Sequence, residues 1–256
     1  MIEIKSLSKE FPDKKVLNDI NCTFYDGKTN LIIGQSGSGK TVLMNCIVGL
    51  LEPTTGEVLY DGRDFIKMNK RECTLLRREM GMLFQGSALF DSLTVLQNVM
   101  FPLDMFSPLS AKDRKKRAQD CLDRVNLIEA QDKFPAELSG GMQKRAAIAR
   151  AISMSPKYLF CDEPNSGLDP KTSLVIDGLI HEITVENNMT TIVNTHDMNS
   201  VMGIGENILY IYKGNKEWQG TSKDIMTSDN QRLNDFIFAS DFSKQMKKSI
   251  EENELQ

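Results

Sequence analysis

An α/β core interrupted by a helical segment is the fold the sequence predicts, on three observations. Short apolar and β-branched runs alternate with helix-forming stretches near the start of the chain and again after Lys157. A glycine cluster separates one such run from the helix that follows it. The stretch between the two halves, from about Ser107 to Ser153, is first charged and then Ala-rich, with helix-favouring composition.

The elements follow in order. Met1 to Leu7 alternates in the manner of a half-buried strand, and Thr29 to Ile33 is apolar and β-branched. Lys40 to Leu50 sets Val42, Leu43, Cys46, Ile47 and Leu50 at helical spacing. Pro53 to Gly56 predicts a turn leading into a strand over Glu57 to Tyr60, and Asp61-Gly62 predicts another turn. Ser110 and Asp113 have the form of a capping box at the head of a helix running through Asn126. Its basic block (Lys112, Arg114, Lys115, Lys116, Arg117) reads as a solvated helix face rather than a phosphate patch, because Asp113, Asp120 and Asp123 are interleaved with it. A helix over Gly140 to Ser153 is closed by Pro156. Lys157 to Cys161 reads as a strand, Thr172 to Glu186 as an amphipathic helix with His181 on its surface, and Thr190 to Thr195 as a strand. Beyond Ile225, Leu233, Phe236 and Ile237 form an amphipathic patch, followed by Phe242 and a charged end from Lys244 to Gln256. Docking on the core, docking on a second subunit and a frayed terminus all stay open for this tail.

Composition narrows the function classes. The 256 residues are 40% hydrophobic and 26% charged, which excludes a disordered, collagen-like or disulfide-stapled chain. Lys and Arg number 31 against 35 Asp and Glu, a net charge of −4, so no global attraction to nucleic acid is expected. Five cysteines (Cys22, Cys46, Cys73, Cys121, Cys161) lack metal or redox spacing, and an odd count cannot all pair internally. With no secretory pattern at Met1 to Lys5, a reduced, cytosolic chain is expected. Val201 to Tyr212 is the longest apolar candidate for a membrane span, but it is short and holds Glu206 and Asn207. Any membrane role therefore requires a separate spanning polypeptide.

Gly34-Gln35-Ser36-Gly37-Ser38-Gly39-Lys40-Thr41, with Val42 following, matches G-x-x-x-x-G-K-[ST] between an apolar strand and a helix. Small residues let successive backbone N–H groups turn inward around an anion, and the helix points its positive end at the phosphates. Lys40 supplies a cation for β- and γ-phosphates, and Thr41 a hydroxyl for Mg²⁺. A second constellation stands where the run Tyr158 to Cys161 ends in Asp162-Glu163. One carboxylate suits a metal's coordination sphere, and its neighbour can take a proton from an attacking water.

Leu138-Ser139-Gly140-Gly141-Met142-Gln143 opens the Ala-rich helix, a Ser cap and two glycines that make a second anion site. With it the sequence resembles the ATP-binding-cassette (ABC) ATPases, whose signature is Leu-Ser-Gly-Gly followed usually by Gln; Met142 departs at the fifth position. The resemblance covers about residues 1–225. It implies an α/β fold with a RecA-like P-loop core, an antiparallel β lobe and an inserted helical subdomain. The expected division is 1–90 for the first part of the nucleotide-binding core with the β lobe, 91–154 for the helical subdomain, 155–225 for the second part of the core and 226–256 for a C-terminal extension.

It also implies ATP and Mg²⁺ as ligands, with two cassettes head to tail and each signature turn (Ser139, Gly140, Gly141) closing on the nucleotide of the other. Phe11 falls where the family stacks an aromatic on adenine. Gln85 looks like the glutamine that reaches the metal and the attacking water, joining Thr41 and Asp162 in the metal set. Asp169, in Asn165-Ser166-Gly167-Leu168-Asp169-Pro170, resembles the family's partner-facing aspartate, with Gly167 in place of the usual Ala. His196 looks like the switch histidine. Glu163, His196, Lys40 and Gln85 are thus the expected catalytic residues.

A narrower likeness lies in Met82-Leu83-Phe84-Gln85-Gly86-Ser87-Ala88-Leu89-Phe90-Asp91-Ser92-Leu93-Thr94-Val95, which is similar to the Mla-type ATPases of MCE-associated phospholipid transporters. It implies an ATPase peripheral to the cytoplasmic face of the inner membrane, driving a transmembrane permease that docks near Leu83 to Phe106, with an MCE-domain protein as a further partner and no nucleic acid. The Met- and Phe-rich segment suits a groove for a short helix. A cassette for another small-molecule cargo, and a soluble assembly ATPase such as that of iron–sulfur scaffolds, are the alternatives.

Overall fold

The computed structural model describes residues 1–238. Along the chain run β1 (Ile2–Phe11), β2 (Lys14–Phe24), β3 (Thr29–Ile33), α1 (Lys40–Ile47), β4 (Thr55–Tyr60), β5 (Arg63–Asp64), α2 (Lys70–Arg78), β6 (Met80–Leu83), α3 (Val95–Phe106) and α4 (Ala111–Arg124). Then come α5 (Gly140–Ile152), β7 (Tyr158–Asp162), α6 (Pro170–Glu186), β8 (Thr190–Thr195), α7 (Met198–Ile204), β9 (Asn207–Tyr212), β10 (Asn215–Gly220), α8 (Ser222–Met226) and α9 (Gln231–Ile237).

The strands make two sheets, a four-stranded antiparallel one ordered β2-β1-β4-β5 and a six-stranded one ordered β10-β9-β3-β8-β7-β6. In the larger sheet every neighbouring pair except β10–β9 is parallel. All five residues of β3 are buried, as expected of a parallel strand covered on both faces. The two-residue period assigns each face its own core. Leu31, Ile33, Leu159, Cys161, Val193, Ile208 and Tyr210 pack with α5, α6 and α7. Ile32, Phe160, Ile192, Leu209 and Ile211 pack with Leu43, Met44 and Ile47 of α1 and with Leu7, Ile20, Phe24 and Tyr60 of the smaller sheet.

The helical middle is built on the first of these cores, where Val99 and Leu103 of α3, Ala118 and Leu122 of α4, and Ala146 and Ala149 of α5 are all buried. Alanines on α5 allow close approach of its neighbours, and α3 tolerates Pro102 in its interior. The large apolar side chains that α3 leaves exposed are Phe101, Met105 and Phe106, at 39%, 59% and 45% exposure.

Several local expectations need correction. The helix after the glycine cluster stops at Ile47, because Gly49 turns to φ 73°. Thr55 and Gly56 already belong to β4 rather than to a turn. Ser110 caps α4 through Asp113 N–H at 3.2 Å, but the Asp113 carboxylate accepts the Ser110 hydroxyl instead of the cap's backbone N–H. His181 is only half exposed, its Nδ1 lying 3.1 Å from Thr29 Oγ1. The run Val201 to Tyr212 is the end of α7 and the whole of β9, divided at Gly205. Phe242 and the charged end from Lys244 lie outside the described residues. Among the described residues no helix is long and apolar enough to cross a membrane.

Candidate active site

The carboxyl ends of β3, β7 and β8 lie side by side, with Ile33 paired to Thr195 and Asp162 to Asn194. Parallel sheets gather ligand-binding loops at such an edge. The loop leaving β3 is Gly34 to Gly39, and its shape needs glycine: Gly34 has φ 151°, and a Cβ there would stand 2.3 Å from Ile211 O. Gly39 caps α1 in the left-handed region, so the helix begins with free N–H groups directed at the loop.

Lys40 is buried, and its ammonium donates to Gly34 O at 2.8 Å and Gln35 O at 3.3 Å. Burial lowers its pKa, while the nearby Glu163 and Asp162 carboxylates oppose the fall. The Ser38 hydroxyl is buried in the same loop without a partner. A phosphate oxygen is the kind of acceptor such a loop lacks.

Across the cleft β7 ends in Asp162, whose Oδ1 accepts from Asn194 Nδ2 at 3.0 Å. Glu163 follows at φ 47°, a strained setting for a residue with a side chain, secured by its N–H bond to Asn194 O at 3.0 Å. Its Oε2 meets His196 Nδ1 at 2.8 Å. That contact assigns the Nδ1 proton toward the carboxylate and leaves Nε2 as the ring's second site. The carboxyl is largely enclosed, whereas the imidazole is 68% exposed.

Gln85 leaves the end of β6. Its amide donates to Ser166 Oγ at 3.2 Å, and its backbone oxygen accepts from the buried Lys144 ammonium on α5. Burial lowers the Lys144 pKa.

One cleft of about 640 Å³ gathers Gln35, Ser36, Gly37, Gly39, Lys40, Thr41, Val42, Gln85, Glu163 and His196. Gly34 and Ser38 form the buried part of its loop, and Asp162 stands at the strand end behind it. Ser139, Gly140, Gly141 and Asp169 are elsewhere. They line a second cleft of about 520 Å³, which shares no lining residue with the first. Asp169 caps α6, and hydrogen bonds from Thr172, first its hydroxyl and then its N–H, hold the carboxylate below its ordinary range. Phe11 lies at the exposed end of β1 beneath the Lys9 ammonium, 5.1 Å from its ring centre, and does not line the first cleft.

Sequence reasoning missed Val16 and Phe236, which do line that cleft, and it missed Asn194 and Lys144 behind it. Asn194 had a signal, a polar side chain two residues before His196 within a β-branched strand. Phe236 stacks on Tyr210 with ring centres 5.3 Å apart, a contact between distant segments with no local signature.

Comparison with known proteins gives concordant findings. Residues 17–166 match the family described as ABC transporter. The chain is 33% identical over 236 residues to a probable ribonucleotide transport ATP-binding protein, Mkl of Mycobacterium leprae, covering 92% of this chain and 68% of that protein. It is 38% identical to the methionine import ATP-binding protein MetN of Haemophilus influenzae (91% and 68% covered) and 37% identical to the same organism's intermembrane phospholipid transport system ATP-binding protein MlaF (93% and 90%). Among solved structures, the dimeric bacterial ABC transporter cassette MJ0796 is 35% identical with TM-score 0.79, covering 87% of this chain and 99% of its own. A post-hydrolysis dimer of that cassette, bound to ADP and Pi, gives 0.78.

Proposed function

The chain belongs to the ABC transporter family as an ATP-hydrolysing cassette, and on that premise we propose that Glu163 polarises the attacking water while Lys40 and His196 stabilise charge on the γ-phosphoryl group. The observation that carries this reading is the 2.8 Å pair between Glu163 and His196, in one cleft with Lys40. A carboxylate fixed by an imidazole is held at one setting, which general-base work requires. For Lys40, burial disfavours the charged form and the two carboxylates beside it oppose that effect; its ammonium exchanges loop carbonyls for phosphate oxygens. Transfer of the γ-phosphoryl group to water yields ADP and phosphate, with the water's proton passing to Glu163.

The residues present fit Mg²⁺. Among the described residues no three His, Cys, Asp or Glu side chains converge into a cage. Asp162, the Thr41 hydroxyl and the Gln85 amide offer one carboxylate and two neutral oxygens, the kind of set Mg²⁺ uses when phosphates complete its shell. When bound, the ion neutralises charge on the β- and γ-phosphate oxygens.

The second cleft is the half-site offered to another copy of the chain, Ser139, Gly140 and Gly141 closing on that copy's nucleotide, with Asp169 at the junction. The dimeric cassette relatives support this arrangement. Phe84, Phe90, Phe101, Met105 and Phe106 expose apolar surface beside Gln85 and on α3, a surface suited to a permease's short helix. The helical subdomain of 91–154 would carry the α3 part of that docking surface, Phe101, Met105 and Phe106, together with the signature turn. In this reading the protein sits at the cytoplasmic face of the inner membrane.

For cargo the reading is phospholipid, with an MCE-domain protein as a further partner. Its support is the MlaF relative, matched over 90% of its length against 68% for the methionine and ribonucleotide relatives. The slightly higher identity to MetN favours methionine import as the second reading.

Two experiments test these statements. Glu163→Gln is expected to retain ATP binding and accumulate closed dimers while turnover falls by about 100-fold or more; near-normal hydrolysis removes Glu163 from the base role. Affinity purification of the tagged protein from membranes is expected to retrieve a multi-span permease with an MCE-domain protein. Recovery of a methionine permease, or of soluble scaffold proteins alone, overturns the phospholipid assignment.

A further inference from the structure

Asp177 is a buried acid that the hydrolytic reading leaves unused. It sits in α6 between the apolar Ile176 and Ile180 sequence positions, 3% exposed, and among the described residues no lysine or arginine pairs with it. Burial raises its pKa, and the nearby Asp197 adds to the rise. A carboxyl kept in such a place without a cation is costly unless hydrogen bonds occupy it.

Two side chains do so. Asp177 Oδ1 accepts from Asn165 Nδ2 at 2.8 Å, and Oδ2 accepts from the Ser200 hydroxyl at 2.7 Å. Asn165 Nδ2 also donates to Ser200 Oγ at 3.1 Å, closing a triangle of three buried residues. The corners come from separate segments. Asn165 lies two residues after Glu163, in the loop where Ser166 N–H bonds Glu163 O at 3.1 Å. Ser200 lies in the first turn of α7, whose cap Asp197 directly follows His196. His196 is mostly exposed and has little packing of its own to hold it. Glu163 occupies a strained backbone setting that its surroundings must maintain.

We propose that Asp177 is a positioning residue for hydrolysis, tying the loop after Glu163 and the helix after His196 to α6 so that the Glu163–His196 pair keeps its spacing. The proposal rests on the roles given to those two residues above. Asp177 touches neither the cleft nor nucleotide; its effect is on the alignment of groups that do. Because Thr41, Gly39 and Lys40 stand on α1 and its loop, the phosphate cradle that dominates ATP binding does not depend on the triangle.

The test compares Asp177→Leu and Asp177→Asn with the wild type in steady-state ATP hydrolysis, well below each melting midpoint. Leucine fills the space and abandons both partners, so kcat is expected to fall about 10–100-fold, with KM for ATP changing less than about twofold. Asparagine keeps an acceptor for Asn165, and its amide can donate to Ser200 Oγ; the Ser200 hydroxyl is then free to turn toward Asn165 Oδ1, which has no partner in the wild type. Asp177→Asn is therefore expected to regain most of the lost kcat. Should Asp177→Leu not fold, Ser200→Ala replaces it, removing one corner with an expected smaller fall in kcat alone. Unchanged kcat in the folded variant, kcat and KM shifted together, or no recovery with asparagine overturns the positioning role. If the wild type itself does not hydrolyse ATP, the functional reading fails first, a result distinct from any of these.

Discussion

Lys40 is fastened by its own loop, yet two carboxylates stand close enough to act on its charge. Its ammonium is held at the mouth of the loop by carbonyls that it can give up for phosphate oxygens. Lys40→Ala removes that cation and leaves the Gly34 and Gln35 carbonyls without their donor. A charge-assisted hydrogen bond contributes about 1.5–3 kcal/mol, so nucleotide affinity is expected to weaken by about ten- to a hundredfold. Titration with a fluorescent ATP analogue measures this, and an unchanged dissociation constant contradicts the cradle role of the loop.

Between elements, one close backbone approach lies where β6 meets α5. A Cβ on Gly81 would stand 2.4 Å from Ala151 O and 3.1 Å from Pro156 Cγ, so Gly81→Ala must push strand and helix apart. Overpacking of this kind costs about 1–3 kcal/mol, or a melting point lower by roughly 2–4 °C per kcal/mol in a chain of this size. Calorimetry is the measurement. β6 also shows why some elements were legible in the sequence and others were not. Thr29–Ile33 and Thr190–Thr195 are β-branched runs buried on both faces, and their observed limits are those the sequence predicts. Met80–Leu83 is four residues long and contains a glycine, so nothing local marks it as a strand. β10 is a polar edge with no apolar alternation, defined only by its pairing with β9. β2 is broken by register shifts against β1, which blur its period. The phosphate loop was readable because its chemistry requires contiguous residue types. Phe236, Val16 and Lys144 are ordinary residues whose part arises only when distant segments meet.

At the scale of the whole molecule, Asp61 joins the smaller sheet to the larger. It accepts from the Tyr158 hydroxyl at 2.6 Å, from Lys157 at 2.5 Å and from the Met1 amine at 2.7 Å. Burial pushes its carboxyl upward, but hydrogen bonds from Lys157, the amine and Tyr158 outweigh it and hold the pKa well below the ordinary carboxylate range. A lowered folded pKa contributes stability above the unfolded value near pH 3.9, and that contribution is lost as pH falls through the folded value. The site is partly open to solvent, so screening reduces the contribution to about 1 kcal/mol or less. Asp61→Asn is expected to lower the melting temperature at pH 7, with the gap from wild type closing as acid is added below about pH 4. A gap that widens in acid would contradict the assignment.

The two clefts of one chain have no lining residue in common, and this separation has a genetic consequence. Lys40→Ala spoils one cleft and leaves the other whole; a bulky replacement at Ser139 does the reverse. Mixed in one tube, the two inactive proteins are expected to complement each other. Each mixed pair assembles one compartment entirely from undamaged halves, and phosphate release from that mixture, absent from either preparation by itself, reads it out.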